Sequence, residues 1–279
     1  MFKSLLFKLH KEDYLIKRPP SKKRYGLITL LRVRNESLIL EDTLEHLSTF
    51  SDGIVAYDDC SDDTTLSILK QHPKVLAVIA NPKWEPTILG RLKSETSHRK
   101  KLMDLALTYQ PEWLFCSDAD ERFVGDIRGF IDSPESHGVD SVRVSLFDAY
   151  MTPEDHAPYR RGEKLLDFRR FFGVERRDIL MMWRPSAGGH YKGLDCREPK
   201  LKRGRTITKF YAQHYGKSLS LRHWEDTCDY YVNHFPYETY GKKWEARKGK
   251  GVHERSDFDT PLYPWGEALF DRAVRIHPE

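Results

Sequence analysis

Apolar residues in the first half of the chain fall in short continuous runs separated by polar, helix-spaced stretches. Residues 27–33, Leu-Ile-Thr-Leu-Leu-Arg-Val, are nearly uninterrupted, the pattern of a strand buried on both faces. Residues 53–57, 75–79 and 113–116 repeat it. Between them, Leu40, Leu44 and Leu47 mark one face of a helix, with Ser37 placed to cap it. A second helix is expected over 64–71, with Ser61 as cap and Asp62 and Asp63 near its positive end. A third, over 94–109, sets Leu102, Leu105, Ala106 and Tyr109 at core spacing, and Pro111 ends it. Strands alternating with helices imply parallel pairing in an open α/β sheet flanked by helices. Beyond Phe123 the alternation weakens. Residues 141–147 read as a strand, 167–172 and 177–183 as antiparallel pieces, 206–212 as the last core strand and 219–233 as a helix. The stretch 242–255 is basic, contains glycine and reads as a loop, and 17–24 reads as a linker, because Pro19-Pro20 bars a helix and the charges stay solvated.

Composition narrows the classes. At 279 residues the chain makes one large or two small domains, and 39% hydrophobic residues are enough for a core. The net charge of +4, from 46 basic and 42 acidic residues, is not the dense basic loading of a nucleic-acid binder. It suits a protein that handles phosphates or meets an anionic surface. Cys60, Cys116, Cys196 and Cys228 form no C-x-x-C pair, which argues against zinc and for a reducing, cytoplasmic compartment. No run approaches the roughly 20 apolar residues that span a bilayer. Residues 1–11 are short, apolar and basic, without the long core and cleavage site of a signal peptide. They read as an interfacial helix making peripheral membrane contact, or as an extra helix or frayed end.

The chemistry gathers at the carboxyl ends of the expected strands, where ligands bind in open α/β sheets. Three polar groups lie there: Arg34-Asn35-Glu36, Asp58-Asp59 and Asp118-Ala119-Asp120-Glu121. Two carboxylates one residue apart after a buried strand form a hard oxygen site, suited to magnesium or manganese with substrate phosphates completing the shell. An acidic D-x-D turn alone is common and often only solvated; its place after an apolar strand gives it weight. Asp59 follows its strand in the same way and suits hydrogen bonds from a ribose or base.

The order Val33-Arg34-Asn35-Glu36, then Asp58-Asp59-Cys60-Ser61-Asp62-Asp63-Thr64, then Asp118-Ala119-Asp120-Glu121 resembles family 2 glycosyltransferases of the GT-A fold, across roughly residues 25–125. Cys60 stands where that family usually has glycine. The resemblance implies inverting transfer of a sugar from a UDP-, GDP- or dTDP-linked donor to a glycan or lipid-linked acceptor, with Mn2+ or Mg2+. It also implies roles by position: Asn35, Glu36 and Asp59 at the nucleotide, Asp118 at the ribose or metal, and Asp120 on the metal. Arg99, with Arg91 as the alternative, stands where the family often carries a basic residue near the nucleotide. The catalytic base is expected in Lys192-Gly193-Leu194-Asp195-Cys196-Arg197-Glu198-Pro199, as Glu198 first and Asp195 second. His214 follows the last core strand, where a histidine near metal or diphosphate is expected. The aromatic residues dense after Trp183 suit packing of a small C-terminal part more than a sugar-binding wall. The implied organisation is an N-terminal arm and linker over 1–23, a GT-A-like domain over 24–216 and a helical, aromatic extension over 217–279. Two other readings are a nucleotidyltransferase, weakened by the lack of a glycine-rich loop after the first strand, and a non-catalytic nucleotide- or carbohydrate-binding module.

Overall fold

The structure is a computed structural model that describes residues 12–276, so the expectation for residues 1–11 lies outside the described residues. Its centre is a mixed sheet in the order β1-β4-β3-β2-β5-β8-β7-β9-β6, with two short strands, β10 (Tyr263–Pro264) and β11 (Val274–Arg275), added on β8. The expected α/β class, with an open, mostly parallel sheet flanked by helices, is what forms. Strands β2 (Tyr25–Val33), β3 (Gly53–Asp58), β4 (Val75–Ala80) and β5 (Pro111–Asp118) make its parallel half.

Two-sided burial explains why these strands read as continuous apolar runs. On β2, Leu27, Leu31 and Val33 face one layer while Ile28 and Leu30 face the other. The first layer holds Leu40, Leu44 and Leu47 of helix α1 (Leu40–Ser48) and Leu69 of α2 (Thr65–Gln71). The second holds Leu102, Leu105 and Ala106 of α3 (Ile88–Leu107). Each fully buried leucine here stabilises the fold by about 1.5–3 kcal/mol.

The second half of the sheet is mostly antiparallel. Strand β8 (Phe171–Trp183) lies between β5 and β7 (Ser141–Tyr150), antiparallel to both. Strand β9 (Thr206–His214) runs parallel to β7 and antiparallel to β6 (Glu121–Val124). The chain then forms helix α4 (Ile127–Asp132) before β7 and helix α5 (Leu221–His234) after β9.

Several local expectations need correction. Helix α1 starts at Leu40 without a side-chain cap, and Ser37 instead gives its N–H to Asp63 Oδ2. Ser61 does not cap α2; its hydroxyl accepts the Asn35 N–H at 2.9 Å, and Asp63 Oδ1 takes the Thr65 N–H at 2.8 Å. Helix α3 begins six residues early because Thr87 caps it, its hydroxyl accepting from Gly90 N. That helix ends at Leu107 with Thr108 as its C-cap, so Pro111 opens β5 rather than closing a helix. The expected strand over 167–172 is a short 3-10 turn, Leu165–Asp167, followed by the single long β8. The expected loop over 242–255 contains a helical turn, Lys242–Glu245. Strand β1 (Asp13–Ile16), antiparallel on β4, and β6 were not anticipated. No helix of the described residues is long and apolar enough to cross a membrane.

Candidate active site

The parallel register brings the three polar groups to one edge. Val33 pairs with Asp58 and Arg32 with Asp118, so residues 34–36, 59 and 118–120 leave their strands at the same level. The turn after β5 is fixed from behind. Arg122, fully buried, donates Nη1 to Ala119 O at 3.0 Å and Glu121 O at 2.8 Å, and Thr43 Oγ1 donates to Ala119 O at 2.7 Å. The Glu121 carboxylate closes the turn by accepting the Asp118 N–H at 2.9 Å.

Strand pairing then delivers a histidine. Antiparallel β6 and β9 set Glu121 opposite His214, and parallel β7 and β9 set Asp148 opposite His214. His214 Nε2 lies 3.3 Å from Asp120 Oδ2, while Nδ1 lies 2.6 Å from Asp148 Oδ1. Gly216 packs directly against both side chains: a Cβ there would stand 2.5 Å from Asp120 Oδ2 and 2.9 Å from His214 Nε2. A carboxylate oxygen and an imidazole nitrogen brought together in this way are a donor set that fits a divalent cation. Among the described residues no group of three or more His, Cys, Asp or Glu side chains is placed to hold an ion, so the remaining positions would fall to phosphate oxygens and water.

The charges respond to this crowding. Burial pushes the Glu121 carboxyl up to about 8, with the nearby Asp120 charge adding to it. Burial and then Asp120 likewise push Glu36 up to about 8. Burial also pushes Asp120 up, but His214, as charge and hydrogen-bond partner, outweighs it and holds the carboxyl below its ordinary value. For His214 burial acts downward, and Asp120 and Asp148 outweigh it to lift the imidazole to about 9.

The other expected residues take different places. Asp118 is held by Arg99 Nη2 at 3.1 Å and pairs with Arg197, which also holds Glu121 Oε1 at 2.6 Å. Asp59 is fully buried: Oδ1 accepts from Asn81 Nδ2 at 2.8 Å, and Oδ2 receives Arg91 at 2.9 Å and Arg32 at 3.1 Å. Burial pushes its carboxyl up, and Arg32, His98 and Arg91 outweigh that to keep it depressed. Asn35 adopts a left-handed backbone (φ 55°), and its Oδ1 accepts the Asp62 N–H at 3.0 Å, locking the first two loops together. Cys60 is left-handed too (φ 58°), which explains why glycine is usual at this turn. The structure also adds Arg34, whose guanidinium covers the Trp84 ring at 4.5 Å, and Arg177, whose Nη2 meets Asp148 Oδ1 at 2.5 Å.

A cleft of about 640 Å³ opens at this edge, lined by Arg99, Asp118, Arg177, Arg197 and His214. Tyr230 and Tyr231 of α5, and Phe235 and Tyr240 in the segment after it, line it as well. Asp195 and Glu198 both line it. The Glu198 carboxylate is gripped by Arg143 at 2.7 and 3.2 Å, one nitrogen on each oxygen. Asp195 (φ 50°) accepts the Tyr240 hydroxyl at Oδ2, 2.6 Å away, and its N–H bonds Leu92 O. Sequence reasoning missed Asp148, Arg143, Arg177 and Gly216. The only signal for them was their position in the weakly patterned second half.

No protein-family model matches the chain. An uncharacterized protein of Mycobacterium tuberculosis is 36% identical over 102 residues, and an uncharacterized protein of Mycobacterium bovis matches equally. The match covers 36% of this chain and only a quarter of the length of those relatives. Among solved structures, S. aureus TarS 1–349 is similar over 80% of this chain and 70% of its own, at 12% identity and a TM-score of 0.37. The mannosyltransferase PcManGT from Pyrobaculum calidifontis, in complex with GDP-Man and Mn2+, is similar over 85% and 68%, at 14% identity and a TM-score of 0.41.

Proposed function

We propose that this protein is an inverting glycosyltransferase of the GT-A type, moving a sugar from a nucleoside diphosphate donor to an acceptor hydroxyl with the help of Mn2+ or Mg2+. The observation that carries the reading is the meeting of Asp120 Oδ2 and His214 Nε2, 3.3 Å apart, with His214 also lining an arginine-rich cleft. Asp120 and His214 would hold the cation, which supplies positive charge to a diphosphate leaving group. Arg99, Arg177 and Arg197 line the same cleft and bring further positive charge to the phosphates. Asp59 acts from below as the fixed anchor of Arg32 and Arg91 rather than by direct contact, since both of its oxygens are engaged.

Of Asp195 and Glu198, Asp195 suits the base role better. Both Glu198 oxygens are taken by Arg143, whereas Asp195 is engaged only at Oδ2 by the Tyr240 hydroxyl. Asp195 would take the proton from the acceptor hydroxyl. The acceptor oxygen then bonds the anomeric carbon as the carbon–phosphate oxygen bond breaks, and the nucleoside diphosphate leaves with the electron pair. Attack from the face opposite the leaving group inverts the anomeric centre. The aromatic wall of Tyr230, Tyr231 and Tyr240 fits a carbohydrate acceptor, which packs its apolar ring faces against such side chains.

The test is turnover of a panel of UDP-, GDP- and dTDP-sugars with and without Mn2+, for the wild type and Asp120→Asn. Metal-stimulated release of nucleoside diphosphate that Asp120→Asn abolishes supports the reading. No binding or turnover of any donor sinks it.

A further inference from the structure

Behind the cation pair lies a buried charge array that no step above uses. His214 Nδ1 is 2.6 Å from Asp148 Oδ1, and Asp148 Oδ2 is 3.1 Å from Lys217 Nζ. Lys217 is itself buried; it also pairs with Asp257 and donates to the Tyr150 hydroxyl at 3.2 Å. Asp257 in turn is held by Arg247 at 2.7 Å, and its N–H bonds the same Tyr150 hydroxyl at 3.2 Å. The array therefore runs from the imidazole of β9, through the carboxylate of β7, to a segment more than forty residues downstream.

Buried ion pairs are a poor way to gain stability, because desolvation offsets most of their attraction. Here the inner end of the array is the ring nitrogen that faces away from Asp120. A proton held on Nδ1 by Asp148 leaves the Nε2 lone pair free for a cation and fixes the plane of the ring. Lys217 occupies the second oxygen of Asp148, and the first is shared between the imidazole at 2.6 Å and Arg177 Nη2 at 2.5 Å, which itself lies 3.4 Å from His214 Nδ1. We propose that Asp148, Lys217 and Asp257 are positioning residues that set the tautomer and orientation of His214 for cation binding. The segment carrying Asp257 is thus part of the site rather than an appendage. This inference rests on the cation site proposed above.

The experiment measures Mn2+ affinity of the full chain by titration calorimetry and by electron paramagnetic resonance of free Mn2+. Asp148→Asn keeps the shape and removes the charge, and should weaken binding about 10–100-fold. Lys217→Met should weaken it about 10-fold, the lower end of the same range. Asp257→Asn, at the outer end, should have a smaller effect in the same direction and measures the array even if Asp148→Asn does not fold. Asp52→Asn, which loosens the Arg128 pair elsewhere in the protein, should leave Mn2+ affinity unchanged. Nitrogen-15 spectra of the metal-free chain, recorded well above pH 9 where the His214 imidazole is neutral, should show the Nδ1–H tautomer in the wild type and a tautomer mixture in Asp148→Asn. Wild-type Mn2+ binding that survives all three array substitutions would overturn the inference alone. A wild type that binds no Mn2+ would overturn the cation site with it.

Discussion

Gly216→Ala probes the cation site without substituting a charged group. The glycine is not in the left-handed region, so alanine suits its backbone. The added Cβ would stand 2.5 Å from Asp120 Oδ2, about 0.9 Å inside ordinary contact at 3.4 Å, and 2.9 Å from His214 Nε2. Metal ligands tolerate displacements of only about 0.2 Å from their bonding distances. Relief of the clash therefore has to move at least one ligand by several times that tolerance. The structural cost stays local, about 1–3 kcal/mol as for other insertions into packed space. The expected result is a folded protein with a modestly lower Tm, Mn2+ affinity reduced at least about 100-fold and metal-dependent turnover lost with it. Donor binding without metal should persist, since no clash reaches the arginine wall. Calorimetric titration with Mn2+ and a thermal melt on the same sample read both quantities. Unaltered Mn2+ affinity in a folded Gly216→Ala protein would refute the assignment of Asp120 and His214.

Asp195→Asn should lower kcat by about 10²–10⁴ with little change in donor affinity, the range for loss of a general base. Glu198→Gln should cost far less, and the reverse order in steady-state kinetics would move the base to Glu198. Cys60→Gly should raise stability by about 1 kcal/mol in urea melts, because the left-handed backbone strains any residue with a Cβ; an unchanged or lower midpoint contradicts that strain. His46 gives a pH signature. Burial, then Arg122, hold it down to about 4 in the folded chain, where Nε2 accepts the Phe123 N–H at 2.8 Å. The unfolded imidazole binds its proton below about 6.5. Stability from this group is therefore full above that pH and falls by roughly 2–3 kcal/mol as pH drops from about 6.5 to 4. His46→Gln keeps an acceptor and should flatten the slope of unfolding free energy over that window by about one proton. An unaltered slope in denaturant melts shows that His46 does not titrate as argued.

The parallel half of the sheet was legible because two-sided burial writes itself into sequence locally. Leu27 to Val33 could be nothing but a central strand, and its neighbours repeat the pattern. The helix starts were less legible because caps compete. Ser37 and Ser61 are both good caps by type, yet each is used to tie one loop to the next. The α3 start was hidden because Ile88 and Leu89 of its first turn are exposed and its signal was Pro86-Thr87, not apolar core spacing. Strand β6 was hidden for a different reason: Glu121 belongs at once to the acidic turn and to the strand.

The site divides along the same line. Asp59, Asp118 and Asp120 lie directly after buried strands, so chain order alone places them at the ligand edge. The remaining members depend on which strands pair. His214 meets Asp120 only because β9 runs antiparallel to β6, and meets Asp148 only because it also runs parallel to β7. A shift of one residue in either register would turn the imidazole to the other face of the sheet. That sensitivity explains why the buried charges around His214 come from β7, β8, the turn after β9 and the distant Asp257. Each new contact constrains the register further, so the same pairings that assemble the cation site also fix the second half of the fold.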